Sequence, residues 1–188
     1  MPATLHLYVE DADAVYQRAL DAGAVSLAAP YDEPHLEDRL AAVIDLAGNH
    51  WLIATNKATG GAFPGLGSLT PYLHPDGAAQ MIDFLKQAFA AEEISLAQSH
   101  EGIVFHAKIK VGDSIIELGD SRGKYQPMPT MFFLYVDDVD AWYARAMKAE
   151  GAISMGAPAE QPYGRVGIVR DSWDNHWYIA TPIKDRAP

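Results

Sequence analysis

"LYVEDADAVYQRAL" runs from Leu7 to Leu20, and "LYVDDVDAWYARAM" runs from Leu134 to Met147, with nine of fourteen positions identical. Further along each copy, "VIDLAGNHWLIAT" (43–55) and "VRDSWDNHWYIAT" (169–181) agree at eight of thirteen. Two matches in the same order and at nearly the same spacing mark an internal repeat, so the repeat sets the reading of the whole chain.

Each copy opens with a short β-favouring run ending in Val9 or Val136. An acidic stretch follows, and Asp11 or Asp138 is placed to cap a helix. In the second copy Val139, Trp142, Tyr143, Ala146 and Met147 fall at helical spacing and give one buried face. Gly23 and Gly151 then end the two helices. A strand comes next ("AVSLAAP", "AISMGAP"), then a turn, then two more strands, the last being "HWLIAT" or "HWYIAT". The unit reads β-α-β-β-β. Asp, Gly and Asn between its third and fourth strands suit tight turns, so His50 and His176, which open the last strands, read as structural.

A diverged third copy lies between Gly67 and Gly119, with "LTPYLHP" as first strand and "DGAAQMIDFLKQAFAA" as helix. The stretch at 58–67, rich in Gly, Ala and Pro, reads as a linker. The predicted organisation is a lone module at 1–57, a linker at 58–67 and a tandem pair at 68–184 that forms a cup.

Composition narrows the function. The 188 residues carry 14 Lys and Arg against 25 Asp and Glu, a formal charge of -11. A nucleic-acid partner would call for a basic stripe, so none is expected. The chain has no Cys, which rules out disulfides, thiolate zinc sites and cysteine nucleophiles. No apolar run reaches the ~18 residues of a membrane span, and Met1 leads straight into an amphipathic pattern. The expectation is a cytoplasmic protein without a membrane partner.

Tandem β-α-β-β-β units resemble the vicinal oxygen chelate superfamily of glyoxalase I, bleomycin-resistance proteins and extradiol dioxygenases, and within it the PhnB-like branch. The residues that carry the resemblance are "TPYLHPDGAAQMIDFLKQAF", "HAKIKVGDSIIELGD", and "LYVDDVDAWYARAMKAEGA" with "YGRVGIVRDSWDNHWYIAT". The resemblance implies an α+β fold and four equivalent metal-ligand positions. Carried onto this chain, they fall at Thr70, Glu117, Met131 and Ile179, or at Thr4 and Ile53 in the first module. Only Glu117 is a competent ligand for a hard or borderline divalent ion. No metal and no cofactor are therefore expected.

Strand alternation proposes the site. A two-residue turn at Gly112-Asp113 would set Lys108 opposite Glu117 and His106 diagonal to it. Phe105, Ala107, Ile109, Ile116 and Leu118 then face the helix, while His106, Lys108, Lys110 and Glu117 face the cup. Thr70, Tyr72 and His74 join the cup side from the first strand of that module. Met131 and Phe133, with Trp177 and Ile179, supply its aromatic and apolar wall. One reading is a cup that binds an organic small molecule. Another is a metal-independent enzyme using Glu117 and His106 as acid and base. A third is a partner-interaction protein working through its N-terminal module. The odd number of modules predicts a homodimer, in which the lone N-terminal module finds a partner in a second chain.

Overall fold

The computed structural model describes residues 2–33, 37–61 and 67–183. They fall into two compact units, one of residues 2–73 with 115–117 and one of 74–114 with the residues from 118 onward.

The first unit contains β1 (Thr4–Tyr8), α1 (Ala12–Asp21), β2 (Val25–Glu33), β3 (Asp38–Ile44), β4 (His50–Asn56) and β5 (Leu69–Leu73). Its strands lie in the order β2-β3-β4-β1-β5, with β1 parallel to β4 and antiparallel to its other neighbour, β5. The segment Ile115–Glu117 belongs to the same unit. Ala12, Tyr16, Ala41, Val43 and Ile53 form the core under α1, with Val9, Val15, Ala19, Leu20 and Trp51 packed around them.

The second unit contains α2 (Ala78–Phe89), the antiparallel pair β6 (Glu92–Gln98) and β7 (Val104–Val111), and the C-terminal module. The strand β8 (Ser114–Leu118) begins and ends in this unit. The C-terminal module is a four-stranded sheet, β10 (Ile153–Gln161), β11 (Gly164–Arg170), β12 (His176–Pro182) and β9 (Met131–Tyr135), with α3 (Val139–Ala146). Phe89 of α2 packs against Trp177 at 4.7 Å and Trp142 at 6.5 Å between ring centroids.

The repeated residues make repeated bonds. Asp11 and Asp138 cap their helices by accepting from the Ala14 and Ala141 N–H groups. Thr55 and Thr181, which close the repeated motif, accept from the first helical N–H groups, Ala12 and Val139, both at 2.9 Å. Asp45 accepts from the Ala47 and Asn49 backbones, the Asn49 amide and the Trp51 indole. Asp171 does the same with Trp173, Asn175 and Trp177. Each Asn side-chain oxygen then accepts from the N–H of the residue just before the first strand, Ala3 or Thr130. The motif is a staple between first and last strands, and His50 and His176 serve it through their backbone N–H groups.

Two expectations change. The repeat predicts a first module without a partner in the chain, yet β1 is hydrogen-bonded along its edge to β5, with Thr4 facing Tyr72 and His6 facing Thr70. Of the linker expected at 58–67, residues 62–66 lie outside the described residues. The preceding stretch folds back on β4, with the Gly60 N–H donating to the Asn56 carbonyl.

Candidate functional site

On the first unit's sheet, alternation sends Leu5, Leu7, Trp51 and Ile53 toward α1 and Thr4, His6 and Tyr8 to the opposite face. Thr70, beside His6 in the ladder, is on that face too and is buried. A carboxylate ends up among them. Glu117 is fully buried, and its Oε2 lies 2.7 Å from the Nδ1 of His6.

A buried carboxylate persists only with a close partner. An ionised carboxylate can only accept, so Nδ1 of His6 donates, and Nε2 is the ring's remaining polar atom. Nε2 is buried without a hydrogen-bond partner among the described residues. The His6 ring lies 4.3 Å from Tyr8 and meets Tyr72 edge-on at 6.2 Å. Burial, and then the charge of Glu117, pushes the Tyr8 phenol well above its ordinary value, so Tyr8 stays an O–H donor. The result is a dry, oriented imidazole with aromatic flanks.

The residues named from the sequence divide between the two units. Glu117, Thr70 and Tyr72 gather around His6 in the first. His74, His106, Lys108, Met131, Phe133, Trp177 and Ile179 belong to the second. There His74 is buried and stacked on Tyr125 at 4.9 Å. On β7, Ala107 and Ile109 are buried while His106 and Lys108 alternate to the other face, as expected. Phe105 departs from the expected pattern: it is exposed, with the Arg122 guanidinium 5.2 Å from its ring centroid.

The aromatic wall needs a larger correction. Trp177 is level with Phe132 and Ile179 with Leu134, so both point away from the face of Met131 and Phe133. Trp177 stacks on Phe132 at 4.4 Å and is core. Tyr178 stands beside Phe133 instead, their rings 5.7 Å apart. For the same reason Met131 and Ile179 cannot belong to one ligand set, nor can Thr4 and Ile53.

Sequence reasoning missed His6 and Tyr8. The signal was present, because core-facing Leu5, Leu7 and Val9 leave both on the other face. Taking β1 as unpartnered removed the reason to look there. A cleft of about 430 Å³ also lies on the α1 side of this sheet, lined by Leu7, Val15, Ala19, Val43, Leu46 and Trp51 among others. It is apolar, and its counterpart at Trp142 and Trp177 is filled by Phe89.

Residues 73–179 match the model of the Glyoxalase/Bleomycin resistance protein/Dioxygenase superfamily. The chain belongs to this superfamily. An uncharacterized protein of Mycobacterium bovis is 32% identical over 130 residues, covering 63% of this chain and 85% of its own. Among solved structures, glyoxalase I from Zea mays superposes with a TM-score of 0.72 at 12% identity, over 96% of this chain and 66% of that one. TioX from Micromonospora sp. ML1 gives 0.53 at 20% identity, over 60% and 95%. At these identities the likeness is one of fold, and fold alone does not carry activity.

The superfamily raises the question of a metal. The His6 face offers one imidazole and one carboxylate, hydrogen-bonded to each other, and around them stand the neutral hydroxyls of Thr4, Tyr8, Thr70 and Tyr72. No three His, Asp or Glu side chains converge among the described residues. A borderline divalent ion takes three or more such donors. This donor set does not fit one.

Proposed function

We propose that the protein is a metal-free small-molecule-binding protein, cytoplasmic and homodimeric, that holds an organic ligand on the His6 face of the first unit. The observation that supports this reading most directly is the buried Nε2 of His6. Burying a polar atom without a partner costs about 1–3 kcal/mol, and a ligand group that hydrogen-bonds Nε2 recovers it. Tyr8 and Tyr72 supply apolar flanks and hydroxyl donors, the mixture of apolar wall and few polar groups that small-molecule sites use. Membership of a superfamily that includes bleomycin-resistance proteins agrees with such a role, and the acidic chain suits a ligand that is neutral or cationic.

A second reading, a metal-independent acid–base enzyme, draws on the same pair with His6 in the place that His106 holds in the sequence reading. A carboxylate that orients an imidazole is the arrangement of a general base and its support. Binding is preferred because the groups beside the pair among the described residues are Thr and Tyr hydroxyls, weak nucleophiles without a second base to activate them.

Native mass spectrometry after incubation with a small-molecule cell extract tests the proposal. The wild-type protein should retain an organic adduct that His6→Ala and Glu117→Gln lose. Equal retention by all three, or no adduct on the wild type, overturns it. Recovery of the adduct in chemically altered form selects the enzyme reading.

A further inference from the structure

The apolar cleft on the α1 side of the first unit's sheet lies on the face opposite His6, and the repeat shows what fills its counterpart. In the second unit Phe89 of α2 sits there, against Trp177 at 4.7 Å and Trp142 at 6.5 Å. The C-terminal module answers with Trp173, whose ring meets Phe84 of α2 edge-on at 6.3 Å. Helices α2 and α3 are thus interlocked by aromatic side chains in both directions.

The repeat aligns Trp142 with Val15, Trp173 with Ala47 and Trp177 with Trp51. One tryptophan is kept and two are cut back to smaller side chains, and all three positions line the cleft. The space left is about 430 Å³, within the ~300–1,000 Å³ range of small-molecule sites. Leu46 also lines it and is 85% exposed, where the sister module has Ser172. An apolar side chain has been placed at the opening of an apolar hollow.

The lining restricts what can enter. Its one ionisable group among the described residues, Asp45, already accepts from the Ala47 and Asn49 backbones, the Asn49 amide and the Trp51 indole. Those four donors use up a carboxylate's capacity, so a charged ligand would find nothing to pair with. A helix docking as α2 docks on α3 would meet Ala47 where it needs Trp173. A second copy's α1 would bring no ring, because Gly23 stands eleven residues past Ala12, as Phe89 stands past Ala78. We propose that the cleft binds an uncharged aromatic small molecule, whose ring lies against Trp51 as Phe89 lies against Trp177 and covers Leu46. The site is separate from the His6 face and does not depend on it.

Prodan, an uncharged naphthalene dye, is the probe, followed by its emission and by methyl NMR of the full-length protein. The wild type should bind it saturably, with ring-current shifts at the Val15 and Leu46 methyls, and should bind the anionic anilinonaphthalene sulfonate at least about tenfold more weakly. Val15→Trp/Ala47→Trp, which restores the sister module's side chains, should weaken prodan binding by about tenfold or more. Leu46→Ser, at an exposed position that leaves folding intact, should weaken it by about threefold to tenfold, and decides the matter if the double variant fails to fold. Gln17→Trp, on the far side of α1, and His6→Ala should both bind as the wild type does. No saturable binding by the wild type, no shift at the Val15 and Leu46 methyls, or unchanged affinity in Leu46→Ser and the folded double variant overturns the proposal. A sedimenting mass that halves in the double variant would assign the cleft to a second copy and overturn it equally.

Discussion

Glu117 and His6 stand 111 residues apart in sequence and 2.7 Å apart in space, both removed from solvent. Removing one member strands the other. Glu117→Leu or His6→Leu should each destabilise the protein by about 3–5 kcal/mol, the usual range for breaking a buried pair, and the double variant should cost less than the sum. Urea unfolding of the four proteins checks this. Additive losses would mean that the two groups do not support each other.

The twin turn carboxylates should titrate in opposite directions. Hydrogen bonds from the Trp51 indole and the Asn49 amide hold Asp45 down to about 2. Asp171 has the same set of bonds, but burial outweighs them and raises it. An unfolded Asp titrates near ~3.9. Asp45 therefore contributes stability that is full above that value and is lost as pH falls toward 2. Asp171 has the reverse sign, its folded form taking up a proton first, so its ionisation weighs against folding at neutral pH. Carboxyl chemical shifts followed by NMR should show Asp171 protonating well before Asp45.

Gly164 sits at φ +150° with the position of a side-chain Cβ running into the Thr181 carbonyl oxygen and 3.0 Å from Pro182 Cα. Backbone cannot yield as a side-chain tip does, so Gly164→Ala should cost about 1–3 kcal/mol or more. Gly156→Ala, where the nearest atom is the Ile168 methyl at 3.9 Å, should fall within about 1 kcal/mol of wild type by the same reasoning. Thermal melts of the pair make the comparison.

Elemental analysis of the purified protein should find no stoichiometric nickel, zinc, iron or manganese. One equivalent of metal, lost on Glu117→Ala, would overturn the metal-free reading and make His6 and Glu117 its first ligands to test.

Local pattern carried much of this protein on its own. The caps at Asp11 and Asp138, the helices they open and the Asp-x-x-x-Asn turns all depend on contacts within one repeat, where spacing dictates what can touch. Alternation also divided β7 correctly at Ala107 and Ile109 against His106 and Lys108. Alternation within a strand says nothing about its phase against a neighbour, and that is where Trp177 went astray. Its indole is tied to Asp171 on the core side, level with Phe132 rather than Phe133. Which edges meet was decided in three dimensions alone. Every first strand of a repeat offers an edge of backbone acceptors and donors, β5 lacking only the N–H of Pro71, so the choice of β5 for β1, and with it the burial of His6 beside Glu117, rests on long-range packing that no single repeat encodes.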